Sequence, residues 1–253
     1  MPTELTLLIP VYNNEPGLAV TLAKLRRAAP KAELLLVWDV TRPGLQPPAK
    51  EEAAALKKKF DARTIFRFDE KGFGSALRRG FAEAKGQVTI VTMADLCDDP
   101  KIIPQMLRAI RAGADLVAAT RYSKGGRAVG GGSKQRLGPL VSCLVSAFST
   151  VKCTDVTNAF KAYRTPLLRS IQSTADRFDL SMELTVKAGA RGARIAEVPT
   201  TWTNKFAGKT NFAVRSEAPR YLKWFLWAAL KAPSKLTLAL FFLLGAIVGF
   251  LMA

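Results

Sequence analysis

Short unbroken apolar runs alternate along this chain with longer stretches whose apolar residues recur every three or four positions. Residues 5–9 (LTLLI), 33–38 (ELLLVW), 64–68 (TIFRF), 88–92 (VTIVT) and 115–120 (DLVAAT) are the runs, and they predict buried strands. Between them, apolar positions such as Leu18, Leu22 and Leu25 mark a helix that stops at Pro30, and further helices are expected over 51–60, 74–84 and 101–112. Beyond residue 120 the pattern predicts helices over 137–150, 166–172 and 179–190, with strands over 159–163 and 194–202. Strand and helix alternating in this way predict an α/β fold, a mostly parallel sheet with crossover helices on its faces. The strand ends at Pro10, Asp39 and Asp95 then share one edge, where open α/β sheets bind ligands.

The run from residue 88 ends abruptly in ADLCDDP, so that Asp95, Asp98 and Asp99 follow a buried strand within a few positions. Carboxylates there are candidate ligands for a hard cation or for a group that a cation escorts. For Asp98 and Asp99 the alternative is an N-cap of the helix that opens near Pro100. Lys71, with Gly72 and Gly74 before a helix, offers backbone amides and a charge to a diphosphate, or is a plain loop-to-helix turn. Residues 121–136 form a glycine-rich loop with five Lys or Arg and no acid; its length and charge point to a phosphate-binding lid rather than a merely solvated loop.

Charge and composition narrow the partner. The 38 basic and 20 acidic residues leave +18, which implies an anionic partner. Nine Lys or Arg face one acid, Asp155, between residues 120 and 170, and seven face Glu217 between 203 and 235. No nucleic-acid-binding pattern accompanies them, so none is expected as a partner. The second cluster precedes residues 236–253, which carry no charge and would span about 27 Å as a helix. The expectation is a C-terminal transmembrane anchor with the main domain cytoplasmic; a buried core helix is the alternative. Residues 221–230 (YLKWFLWAAL) read as an amphipathic helix in the headgroup layer or as one packed on the domain itself. The domain boundaries expected are 1–215, 216–234 and 235–253, and the terminal helix could also pair with copies of itself. The three cysteines fit no metal spacing, and no signal peptide precedes them, as in a reducing compartment. There is no histidine, so any chemistry runs on carboxylates, cations and the reactants' own charges.

In order, IPVYNNEPGL, the strand ending at Asp39, KGFGSALRRGFAEAKG, the ADL turn, ATRYSKGG, DVTNAFKAYR and EVPTTWTNKFAGKTNF resemble the family 2 inverting glycosyltransferases. More narrowly they resemble the branch of dolichyl-phosphate mannose synthases and polyprenyl-phosphate glycosyltransferases, over residues 5–215. The resemblance implies a GT-A fold, a GDP- or UDP-sugar donor, a polyprenyl phosphate acceptor at the cytoplasmic membrane face, and Mg2+ or Mn2+ between the diphosphate and the acidic turn. It implies that Pro10, Tyr12, Val37 and Asp39 contact the nucleoside, that Asn14 and Glu15 stand at the family's glutamate after Tyr-Asn, and that Ala94 and Asp95 belong to its metal motif. Arg121 and Arg136 match arginines holding the phosphates of donor and acceptor, Lys205 stands at a late-loop arginine, and Lys209 lies near a late-loop lysine. The chain departs from the pattern at Trp38 and Met93, each in place of an aspartate, and at Cys97 in place of a glutamine. Asp95 is then the carboxylate carried over to the metal, with Asp98 or Asp99 available to compensate. Two other readings stand beside this one: a transferase with a hydroxyl acceptor, for which Asp98 or Glu183 would be the base, and a non-catalytic nucleotide- or lipid-binding relative.

Overall fold

The computed structural model describes residues 4–13, 15–68, 72–95, 97–130, 137–204 and 214–252, with side chains described only from residue 216 in the helix that opens at 214 and only to residue 243 at the C-terminal end. The strands are β1 (Leu5–Tyr12), β2 (Glu33–Asp39), β3 (Ala62–Arg67), β4 (Val88–Val91), β5 (Leu116–Thr120), β6 (Arg127–Val129), β7 (Lys161–Arg164), β8 (Ile195–Pro199) and β9 (Thr201–Thr203). The helices are α1 (Leu18–Ala28), α2 (Gln46–Phe60), α3 (Phe73–Glu83), α4 (Ile103–Arg111), α5 (Leu137–Phe148), α6 (Thr165–Ser170), α7 (Leu180–Ala190), α8 (Val214–Lys231) and α9 (Lys235–Met252).

Seven strands form one sheet in the order β3-β2-β1-β4-β7-β5-β8. All neighbours are parallel except β7, which runs antiparallel between β4 and β5. Because side chains alternate across a strand, Leu7, Ile9, Leu34, Leu36 and Trp38 enter one core with α1, α2 and α4. Leu8, Leu35 and Val37 enter a second core with α3, α6, α7 and α8 on the other face. Both faces are apolar, which is why the runs read as continuous. α3 lies very close to its neighbours: a Cβ at Gly74 would sit 2.1 Å from the Ala175 carbonyl oxygen.

Three expectations change here. The cationic loop is not all loop, since β6 pairs with β9 in a small second sheet, and the strand expected over 194–202 is divided into β8 and β9. At the C terminus, α9 forms as an 18-residue helix, but its described side chains end at Leu243, about 13 Å along the axis. Among the described residues no helix is long and apolar enough to cross a membrane, so the transmembrane anchor is not shown. Residues 221–230 pack on the domain through one face of α8, with Tyr221, Trp224 and Ala228 buried, while Leu222, Leu226 and Leu230 are exposed on another.

Candidate active site

Three loops meet at the ends of β1, β2 and β4. Asn13, with φ of 52°, turns the chain out of β1; its Oδ1 accepts from the Thr41 and Arg42 amides at 2.9 and 3.1 Å, and its carbonyl accepts from Trp38 Nε1 at 2.6 Å. That hydrogen bond and stacking on Phe66 explain why tryptophan occupies position 38: the side chain is in the core, away from the cleft. Tyr12, next to this turn, is half exposed and presents an aromatic face at the sheet edge. Pro10 is paired with Val37 across the two strands. Val37 is fully buried among core residues and paired with β1 and β3 on its two sides, so it braces the sheet edge without an exposed atom for a ligand.

Asp39 is buried in an ion pair with Arg67, Nε to Oδ1 3.1 Å, and its Oδ2 accepts from the Gly72 amide at 3.1 Å. Arg67 also donates to Ser75 Oγ. Asp39 therefore ties β2 to β3 and to the start of α3, and Arg67, a residue the sequence pattern did not single out, is its partner.

The acidic turn is built from both sides. Thr21 Oγ1 of α1 donates to the Ala94 carbonyl at 2.5 Å, and Asp95 Oδ1 accepts from the Cys97 amide at 2.9 Å. Asp99 caps the following 3-10 turn by accepting from the Lys101 amide, which settles its role as the N-cap. Asp98 is not the cap. It is buried with Oδ1 lacking a hydrogen-bond partner, and burial together with the charge of Asp95, moderated by Arg121 and Asn158, raises its carboxyl to about 7. Glu15 is pushed up likewise, by burial first and then by Asp95. Among the described residues no Lys or Arg forms an ion pair with Asp95 or Asp98. This excess of unpaired negative charge, with an orphaned carboxylate oxygen, fits a divalent cation. No group of three or more His, Cys, Asp or Glu has metal-binding geometry among the described residues; two carboxylates completed by phosphates and water are enough for Mg2+.

Facing the turn, Arg121 is gripped by Asp155: Nε to Oδ2 is 2.7 Å and Nη2 to Oδ1 2.9 Å, while Nη2 also reaches Thr157 Oγ1 at 3.0 Å. Burial alone would lower the guanidinium's pKa, but the hydrogen bonds and charge of Asp155 outweigh it and hold Arg121 above its ordinary value. Asp155 is held below the carboxylate range for the same reason, against its own burial. Behind them Lys161, completely buried, donates to the Val156 and Asn158 carbonyls, and burial lowers it to about 8. The turn that clamps Arg121 is thus itself pinned by a cation. Glu183 is fully buried and accepts from the Thr174 and Ala175 amides and from Lys187, so it holds a loop and is not placed as a base. Asn14, Lys71, Arg136, Lys205 and Lys209 lie outside the described residues.

α8 closes the site from behind. Trp224 Nε1 donates to Asp179 Oδ2 at 2.8 Å, Arg177 pairs with Glu217 at 3.3 Å, and the Tyr221 phenol is raised by burial and then by the charges of Asp179 and Glu217. The sequence carried no signal for Asp179 or Glu217, since their partners Trp224 and Arg177 stand far from them along the chain.

Residues 6–171 match the model of "Glycosyl transferase family 2". The chain belongs to this family. It is 29% identical over 234 residues to a dolichol-phosphate mannosyltransferase of Pyrococcus furiosus, covering 87% of this chain and 64%, under two thirds, of that protein. It is 29% identical to an undecaprenyl-phosphate mannosyltransferase of Micrococcus luteus, covering 89% of this chain and 96% of that one, and 30% identical to a polyprenol monophosphomannose synthase of Mycolicibacterium smegmatis, covering 82% and 80%. Among solved structures, glucosyl-3-phosphoglycerate synthase of Mycobacterium tuberculosis with UDP matches at TM-score 0.65 and 16% identity, over 92% of this chain and 82% of that one. The mannosyltransferase PcManGT of Pyrobaculum calidifontis, solved with GDP-Man and Mn2+, matches at TM-score 0.58 and 16% identity, over 97% and 80%. The fold is therefore GT-A-like, and the protein is a glycosyltransferase.

Proposed function

We propose that this glycosyltransferase moves a hexose, mannose by its likeness to the named relatives, from a GDP- or UDP-linked donor to a polyprenyl phosphate at a membrane surface. The observation that carries the reading is the clamped Arg121 near enough to Asp98 for their charges to interact, while among the described residues no Lys or Arg pairs with Asp95 or Asp98: a fixed cation beside a cation-seeking acidic pair suits two phosphorylated reactants. Tyr12 would stack on the nucleobase, Pro10 and Glu15 would line the nucleoside end, and Val37 and Asp39 would brace it; Asn14 is carried over from the family resemblance. Asp95 and Asp98 would hold Mg2+ or Mn2+ beside Ala94, and the ion would neutralise the donor's diphosphate. Arg121, with Arg136 and the lysines Lys71, Lys205 and Lys209, would bind the phosphates.

A phosphate monoester is largely dianionic at neutral pH, so the acceptor oxygen attacks the anomeric carbon without a protein base. The new bond joins that oxygen to C1, the bond from C1 to the diphosphate breaks, and the nucleoside diphosphate leaves with the electron pair. Attack from the opposite side inverts the anomeric centre. Arg121 acts by orientation and charge stabilisation. A hydroxyl acceptor would need a base: Glu183 is fully engaged elsewhere, which leaves Asp98, the carboxylate that this reading assigns to the cation, as the one other candidate. Exposed Leu140 and Leu144 of α5, Leu222, Leu226 and Leu230 of α8, and Leu238, Phe241 and Phe242 of α9 support membrane attachment, with α9 as the inserted anchor.

The test is purified protein in detergent with polyprenyl phosphate, GDP- and UDP-sugars and either cation, assayed for sugar-labelled lipid. A lipid-linked sugar is expected. A protein that binds no nucleotide sugar with any divalent cation would overturn the reading.

A further inference from the structure

A cavity of about 430 Å³ opens between α7 and α8, and its described lining shares no residue with the active site. Lys187, Arg191, Lys231 and Trp227 line it. Lys187 is partly neutralised by Glu183 at 2.6 Å and lies 4.9 and 5.9 Å from the Trp224 and Trp227 ring centres. Arg191 and Lys231 are exposed and form no ion pair among the described residues. Among the described residues no acid lines the cavity, so its surplus charge is positive and suits an anion.

Its position says which anion. At about 100° per residue, Leu222, Leu226 and Leu230 make one stripe of α8, all exposed. Lys223, Trp227 and Lys231 each follow by one position and make the adjoining stripe, between the leucines and the inward-facing Trp224. An apolar stripe bordered by a tryptophan and lysines puts the cations at headgroup depth when the leucines enter a bilayer. We propose that this cavity binds the phosphate headgroup of an anionic membrane lipid, distinct from the acceptor, with Arg191 and Lys231 on the phosphate and Trp227 beside the glycerol. The proposal rests on the membrane reading above and adds to it a site with its own residues.

Binding of the full-length protein to phosphatidylcholine vesicles, with and without phosphatidylglycerol, tests it. The double variant Arg191→Ala/Lys231→Ala is compared with Lys57→Ala/Lys58→Ala, which removes equal charge from the exposed end of α2 on the other face of the sheet. The cavity variant is expected to lose about tenfold or more in affinity for the anionic vesicles, the α2 variant about twofold or less, and both to bind neutral vesicles like the wild type. Phosphatidylglycerol brominated just below the headgroup should quench wild-type fluorescence, and Trp227→Phe should abolish that component. Equal losses in the two charge variants would reduce the effect to net charge and overturn the proposal. So would complete displacement by millimolar inorganic phosphate, which would mark a free-anion site. Binding to neutral vesicles with no anionic gain overturns the proposal alone, and no binding to either overturns the membrane reading with it.

Discussion

Asp155 is wholly buried and shares its charge with Arg121, so Asp155→Ala leaves a guanidinium in low dielectric without its partner. A loss of about 3 kcal/mol in unfolding free energy is expected by denaturant titration, together with loss of transfer, because Arg121 is no longer aimed. Asp95→Ala should behave differently: Asp95 is partly exposed and makes one backbone hydrogen bond, so turnover should fall about a hundredfold or more with the melting temperature little changed. Lys161 gives a pH signature. Burial lowers its pKa from 10.5 to about 8, so between those values the unfolded chain holds a proton that the folded chain has released, and rising pH favours the fold. Stability of the wild type relative to Lys161→Met should therefore rise by about 1 kcal/mol or more from pH 8 to 10, read from chemical unfolding at each pH. A flat difference would mean that Lys161 keeps an ordinary pKa in the fold.

α3 approaches the loop before α7 so closely that Gly74→Ala must push a methyl group into a backbone carbonyl. A cost of about 1–3 kcal/mol is expected in thermal unfolding, and because Gly72 holds Asp39, weaker donor binding should accompany it. The parallel strands were legible because strands covered on both faces are continuously apolar, and the acidic turn because it ends one of them. β7 was legible as a strand but not in direction, since an antiparallel strand buried on both faces has the same apolar pattern as a parallel one. β6 was hidden inside a Gly- and Lys-rich loop, because its pairing with β9 depends on backbone hydrogen bonds that carry no side-chain signature. Trp38 and Arg67 show the same limit at the site. Position 38 points to the α1–α2 core, and Arg67 meets Asp39 only across adjacent strands, which local spacing does not reveal.

α8 belongs to the folded domain as much as to the surface of exposed leucines. Truncation after Leu238 keeps the Thr237 hydrogen bond to the Phe148 carbonyl, removes the rest of α9, and should leave melting temperature nearly unchanged while weakening retention in the membrane fraction. Truncation after residue 213 also strips Tyr221, Trp224 and Ala228 from the second core and removes the Trp224 donor to Asp179, so the domain should melt well below the full chain. The two cuts together separate anchoring from folding, as measured by calorimetry and by membrane flotation. One helix thus carries a face sunk in the protein behind Arg121 and a face of exposed leucines. On the proposed membrane reading it would act as a depth gauge: the reaction centre would ride at a set height above the bilayer, and the carrier would have to present its phosphate there. Discrimination between carriers would then depend on the first few isoprenes below that phosphate, and lengthening the far end of the tail should leave kcat unchanged.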